Sequence, residues 1–348
     1  MKKFSLLFFL LLLLPPVSSH PYWLKEGVYV KYAVLVPENV TSKERYANNV
    51  FIRLDLISDE AYEKLKPVLI EEEIDCEKNK EFNKIYNITC SYSRMSKTVL
   101  NLFPREAFLS FTVVNITNTT ALIRTSLEMK DVIVDMNYHV DSLNLSALLI
   151  LDLNRSAYID EKGNIIGKPV FFIDIPPARD DLLLKFDTKG IHTSGDLRVA
   201  NVSYGEYANQ SILTYVRNFT PPYITVRSNR LMMGWEGFSG VFFNNVVYDF
   251  SSGLMISGDF VISPELMAMG VISAFPFDLV AFEHQKALIE KGVKTERWLQ
   301  GFNLYETNIK FEEREKIELP QSKMRYFFAF ASILLLMALI KKFMGERE

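Results

Sequence analysis

The chain has 348 residues, 39 basic and 42 acidic side chains, and a net charge of -3. Without a basic surplus or a basic cluster interleaved with aromatics, a nucleic-acid partner is excluded. Roughly residues 20 to 322 lie between two apolar stretches, enough for two ordinary domains with a real core.

At the front, Lys2 and Lys3 precede an apolar run of 11 residues, Phe4–Leu14. That run is too short to cross a hydrocarbon layer of about 30 Å. With Val17 and Ser19 at the positions a signal peptidase reads, residues 1–19 are predicted to be a secretory signal cleaved after Ser19.

Residues 20–176 are predicted to form a first β-rich lobe. Val50, Ile52, Leu54 and Leu56 alternate with Arg53 and Asp55, the period of a half-buried strand. Ser58, followed by Asp59 and Glu60, reads as a helix cap, and Pro67 is predicted to interrupt that helix. Cys76 and Cys90 are the only cysteines; outside the cytosol they are predicted to form a disulfide, worth about 3 kcal/mol for so short a loop. A zinc site wants four ligands, so no metal is expected there. Phe111–Ile116 and Ala121–Met129 read as a hairpin across Thr117–Thr120, with Ala121, Ile123, Thr125, Leu127 and Met129 sharing one face.

A second β-rich lobe is predicted over residues 177–311, with a helical segment at 264–291. Tyr158-Ile159-Asp160-Glu161-Lys162-Gly163, followed by Gly167 and Phe171, is echoed by Tyr248-Asp249-Phe250-Ser251-Ser252-Gly253, Gly258 and Phe260. This echo suggests two related lobes parted near Pro176–Asp181; shared turn chemistry in two hairpins explains it equally well. Ser263-Pro264-Glu265 is a helix start with Pro at its first position, and Phe277, Val280, Ala281, His284 and Leu288 share a helical face up to Gly292. Tyr305, Ile309 and Phe311 alternate with Glu306, Asn308 and Lys310 in a last strand.

Charged residues 312–323 are predicted to form a stalk, 324–344 a transmembrane helix and 345–348 a cytoplasmic tail. The uncharged core Tyr326–Ile340 is 15 residues long. Arg325, Lys341 and Lys342 can extend to the headgroups and bring the span to about 30 Å. The fold class expected is therefore mainly β (α+β), two antiparallel lobes, sandwich or curved sheet, with a few helices and one C-terminal membrane helix. The expected location is a cell membrane, single-pass type I, with the bulk of the chain extracellular and membrane lipid contacting the C-terminal helix.

Nine Asn-x-Ser/Thr triplets start at Asn39, Asn87, Asn115, Asn118, Asn144, Asn154, Asn201, Asn209 and Asn218. Chance would place about two or three among the 21 asparagines, so glycosylation of an exported surface is predicted. The signal, the dense triplets, the Tyr-Asp…Gly hairpins and the single span ending at Lys341-Lys342 together resemble the membrane-anchored surface proteins of heat-loving archaea. The resemblance covers the layout of the whole chain and implies no catalytic residue.

Catalytic constellations do not assemble. His20, His139, His192 and His284 show no metal spacing, and neither a metal nor a cofactor is expected. Around Ser239, Gly237-Phe238-Ser239-Gly240 fails the nucleophile-elbow pattern at Val241. His192-Thr193-Ser194-Gly195-Asp196 reads as a turn, Glu71-Glu72-Glu73 with Asp75 as a solvated helix end, and Asp160 and Asp249 as turn residues. Met232, Met233, Trp235, Phe238, Phe242 and Phe243 form either a packed core or an apolar surface for a partner or ligand. The chain thus reads as a surface glycoprotein with a non-enzymatic binding or structural role and a protein or envelope-component partner. An accessory lipid- or peptide-binding subunit of a membrane transporter is the second reading, and a membrane-tethered hydrolase the third.

Overall fold

The structure, a computed structural model, describes residues 21–41, 43–78, 98–174, 176–186, 191–235 and 238–311, with backbone only at 71–78 and 238. The strands in chain order begin with β1 (Tyr29–Leu35) and β2 (Asn49–Arg53). Three long strands follow: β3 (Val99–Ile116), β4 (Thr120–Val134) and β5 (Tyr138–Asp152). Short ones come next: β6 (Ala157–Ile159), β7 (Ile165–Gly167), β8 (Leu182–Leu184) and β9 (His192–Thr193). The later strands are β10 (Leu197–Ser203), β11 (Ser211–Leu213), β12 (Asn218–Phe219), β13 (Tyr223–Ser228), β14 (Leu231–Trp235) and β15 (Phe238–Phe242). The last are β16 (Asn245–Asp249), β17 (Met255–Asp259), β18 (Val271–Phe275), β19 (Glu296–Trp298) and β20 (Phe302–Thr307). Three helices, α1 (Asp59–Lys78), α2 (Pro264–Ala268) and α3 (Leu279–Glu290), lie among them.

Twelve strands close one antiparallel barrel in the order β1-β20-β17-β16-β13-β10-β8-β7-β6-β5-β4-β3 and back to β1. Closure depends on the length of β3. Its first residues pair with β2 (Arg53↔Val99 to Val50↔Leu102), and beyond them Glu106–Thr112 pair with β1. A closed ring leaves no ladder edge exposed. Strands β2 and β18 continue from the start of β3, and two three-stranded sheets, β12-β11-β19 and β15-β14-β9, flank the barrel.

The two-lobe expectation is therefore wrong. Residues on both sides of the proposed boundary belong to one ring, joined directly where Gly167 of β7 pairs with Leu184 of β8. The internal echo is two hairpins of that ring, β6–β7 and β16–β17. Tertiary closure, which hairpin chemistry does not encode, places both in one barrel wall, with β13, β10 and β8 between them, instead of at the centres of two lobes. Both Tyr158 and Tyr248 point into the shared interior.

Period-two alternation supplies that interior. Ala121, Ile123, Thr125, Leu127 and Met129 are all buried, as their shared face predicts, and the opposite face of β4 is paved with Arg124, Glu128 and Lys130. The lumen is filled. Phe171 stacks on Tyr32 with centroids 5.7 Å apart and meets Phe111 at 4.8 Å, while Trp23 meets Phe172 edge-on at 5.5 Å. The backbone around Phe171 is fixed by bonds from Met255 N and to Gly253 O. Gly253 needs its φ of +66°, and a Cβ there would lie 2.1 Å from Ile173 O.

Other local expectations are met or revised. Helix α1 is capped by Ser58, whose hydroxyl accepts the Ala61 amide at 3.3 Å. The helix runs through Pro67 instead of stopping there, because Ala61, Leu65, Val68 and Leu69 bury one continuous face. Helix α2 starts at Ser263-Pro264 as expected but ends at Ala268. Gly270, at φ +81°, then turns the chain into the β-branched start of β18, so the predicted 264–291 helix is split in two. Gly292, at φ +73°, follows the end of α3. Leu56 is exposed because β2 ends at Arg53, and Leu304 instead of Tyr305 faces inward. Among the described residues no helix is long and apolar enough to cross a membrane. The predicted signal (1–19), His20, stalk and span (312–344), tail, Asn87 and Cys90 lie outside the described residues, as does the side chain of Cys76.

Candidate functional site: a polar cleft on the barrel wall

A cleft of about 230 Å³ opens on the outer wall of the barrel where β16 and β17 are roofed by β19, α3 and the turn after β10. Its floor follows from strand register. Asn245 pairs with Asp259 and Val247 with Ser257, and the alternation of side chains puts these four on the outer face. Arg227 of β13 pairs with Asn245, extending the row. The opposite wall is Gln285 of α3, Arg297 and Trp298 of β19, and Tyr207. Gly301 lets the loop after β19 lie against β17, since a Cβ there would stand 2.2 Å from Gly258 O.

Helix α3 is held in place by a buried network. Asp278 caps it, accepting the Ala281 amide at 3.0 Å through Oδ1. Asp278 Oδ2 accepts the Tyr215 hydroxyl at 2.8 Å and Asn303 Nδ2 at 3.1 Å. Asn303 Oδ1 in turn accepts the hydroxyl of Ser257 at 2.8 Å, so the floor of the cleft and the helix cap share one chain of hydrogen bonds. Burial pushes the Asp278 carboxyl up to about 6, partly offset by its donors. Gln285, seven residues on and hence on the same helix face, accepts the Trp298 amide through Oε1.

Within the cleft, charges divide into a satisfied pair and an unsatisfied one. Arg227 donates to Glu206 at 2.6 Å and to Asn245 Oδ1 at 3.2 Å. Arg297 lies over the Tyr207 ring, its guanidinium carbon 5.2 Å from the centroid, and has no carboxylate partner among the described residues. Asp259 likewise has no ion-pair partner or hydrogen-bond donor among them. Its residue surface is exposed, yet the walls displace enough water to raise its pKa. Tyr207 adopts φ +60°, a left-handed conformation rare for a bulky side chain. Burial, followed by the charge of Glu206, raises the pKa of its hydroxyl.

A second titratable cluster lies inside the barrel. Glu265 of α2 is fully buried, and Oε1 accepts the Val170 amide at 2.9 Å. Burial pushes its carboxyl up to about 7. Burial, and after it the nearby Glu265 charge, raises Tyr32, Tyr158 and Tyr248, which approach from β1, β6 and β16, yet Glu265 Oε2 and the Tyr158 hydroxyl have no partner at hydrogen-bond distance among the described residues.

The expected apolar surface is only partly there. Met233, Trp235 and Phe242 are buried, with Trp235 5.1 Å from Phe51 and Phe242 5.6 Å from Phe275. Strand alternation leaves Met232 and Phe243 exposed, beside Val241; the side chain of Phe238 is not described. All eight described triplet asparagines are exposed: Asn39, Asn115, Asn118, Asn144, Asn154, Asn201, Asn209 and Asn218. Of the ten other described asparagines only Asn137, Asn164 and Asn308 are. Asp160 and Asp249 accept turn amides, from Lys162 at 2.9 Å and Ser252 at 2.8 Å, and do not converge. His139 bonds to Asp131 at 3.0 Å, whereas His192 and His284 are exposed. No group of three metal-ligating side chains occurs among the described residues.

Sequence reading missed the cleft because its lining residues come from five separate segments; the only local signal was the polar alternation Ser257-x-Asp259. Fold and site together define a closed antiparallel barrel carrying a polar cleft on its wall. Comparisons with protein-family models, curated proteins and solved structures give no match.

Proposed function

We propose that the chain is an exported surface glycoprotein, held at the cell membrane by its apolar run Tyr326–Ile340, whose barrel binds a small polar ligand in the cleft between β17 and β19. The observation that carries this reading is that Asp259 and Arg297 line one cleft without an ion-pair partner among the described residues, over a floor braced by the Ser257–Asn303–Asp278 bonds. Binding is preferred to hydrolysis because Asp259 has no second carboxylate or histidine beside it among the lining residues to complete an acid–base pair. Exposure of all eight described triplets supports display outside the cytosol.

The exposed Met232, Val241 and Phe243 favour, as a second role, contact with a protein or envelope component.

Two measurements test the proposal. Gln300 is exposed at the cleft rim, so Gln300→Trp should fill the cleft without disturbing the fold. Thermal-shift screening of small polar compounds should find hits that this variant loses; hits retained by it would move binding elsewhere. Alkaline carbonate washing of host membranes should leave the chain in the pellet, and release into the wash would refute the membrane attachment.

A further inference from the structure

The cleft divides into an acceptor wall and a donor wall. On β17, Asp259 offers an unpaired carboxylate. Two residues away Ser257 Oγ spends its proton on Asn303 and keeps its lone pairs. Across from them, Arg297 offers a guanidinium steadied against Tyr207, and Gln285 offers its Nε2 donors, because its Oε1 is committed to the Trp298 amide. Asn245 is oriented in the same way, its Oδ1 accepting from Arg227 and its Nδ2 left to donate. No ion pair within 4.0 Å joins Asp259 to Arg297, so the two charges line one cleft without pairing to each other. A cleft of about 230 Å³ is below the size of drug-sized sites, which suits a compact ligand.

We propose that the ligand is a zwitterion of the α-amino-acid type, its ammonium group held by Asp259 and Ser257 and its carboxylate by Arg297 and Gln285. This rests on the reading of the cleft as a binding site. A neutral polyol would leave both charges unpaired, and a simple anion or cation would leave one, whereas a zwitterion satisfies both walls at once. The left-handed Tyr207 supports the assignment, since the turn it distorts presents the ring on which Arg297 rests.

The test uses the full-length chain in detergent and titration calorimetry with single L-amino acids. Their N-acetyl and methyl-ester derivatives, glucose, N-acetylglucosamine and acetate serve as comparison probes. At least one free amino acid should bind, and acetylating its amine or esterifying its carboxylate should weaken it at least tenfold. Asp259→Asn should abolish the discrimination against the N-acetyl form, and Arg297→Gln that against the ester. Sugars or acetate binding in the wild type but not in Gln300→Trp, with no amino acid binding, would overturn the zwitterion while leaving the cleft as the site. Binding of any probe unaffected by Gln300→Trp, or no binding by any probe, would overturn both.

Discussion

The Tyr215 hydroxyl donates to Asp278 at 2.8 Å, from the loop between β11 and β12 to the cap of α3. The same carboxylate holds the first turn of α3 and the amide of Asn303, so the roof of the cleft hangs on one side chain. Asp278→Ala removes a cap and strands two buried donors, a loss of about 2–4 kcal/mol. Tyr215→Phe removes one bond while Asp278 keeps its others, a loss of about 1 kcal/mol. Urea melts should give that order; equal costs would mean that Asp278 acts through Tyr215 alone.

Mild acid should stabilise the fold. Glu265 is raised to about 7 and Asp278 to about 6, both by burial. Their stabilising contributions are fully present below the unfolded values of 4.5 and 3.8 and are lost as pH rises through the folded ones. Each is worth up to about 3 kcal/mol. The urea midpoint should therefore rise from pH 8 to pH 5.5. Glu265→Gln gives Tyr158 a permanent donor in place of the partnerless Oε2, so it should stabilise at pH 8 and flatten the profile. A midpoint that falls on acidification over this range would contradict the account.

At the far end of β3 the sign reverses. Arg105 bonds Asp131 through Nε and the carbonyls of Pro37 and Glu38 through Nη1, the latter two at 2.7 and 3.2 Å. Burial works to raise Asp131, but the bonds from Arg105 and His139 and the charge of Arg45 outweigh it and hold the carboxyl at about 2. The stability this cluster supplies is present above 3.8 and lost as pH falls toward 2. After screening of the partly exposed carboxylate it amounts to about 1 kcal/mol. Asp131→Asn preserves the left-handed backbone at φ +47°, which Asn tolerates, and removes only the charge. Its melting temperature should match that of the wild type at pH 2 and fall below it at pH 6.

Single Asn→Gln changes at the eight exposed triplets should each remove one glycan mass and shift stability by no more than about 0.5 kcal/mol. Intact-mass spectrometry of host-derived protein reads this directly. A wild-type mass equal to the bare polypeptide would end the glycoprotein assignment. Asn303→Gln, in the buried network, should by contrast cost about 2 kcal/mol or more.

Local order was legible from short-range pattern. The buried face of β4, the turn at Thr117–Thr120, the Ser58 and Ser263 caps and the stop at Gly292 follow from alternation and capping chemistry, which act within a few residues. Helix α1 passing Pro67 was not legible, because burial against distant strands outweighs one lost backbone bond. A packed core was one of the two readings of the Met232–Phe243 aromatics, but that Trp235 and Phe242 would be buried and Met232 and Phe243 exposed was not legible, since aromatic content does not say which strand face finds Phe51 and Phe275.

The sequence by itself determined that the described residues are built largely of alternating strands, where several turns fall, and which asparagines begin Asn-x-Ser/Thr triplets, all properties of contiguous residues. Only the tertiary structure decided that these strands close into one barrel, because closure depends on β3 meeting both β4 and β1, strands far apart in the chain. It also decided the site. Asp259 and Arg297 are separated along the chain by α2, β18 and α3, and only the packing of α3 and β19 over β17 makes them line one cavity.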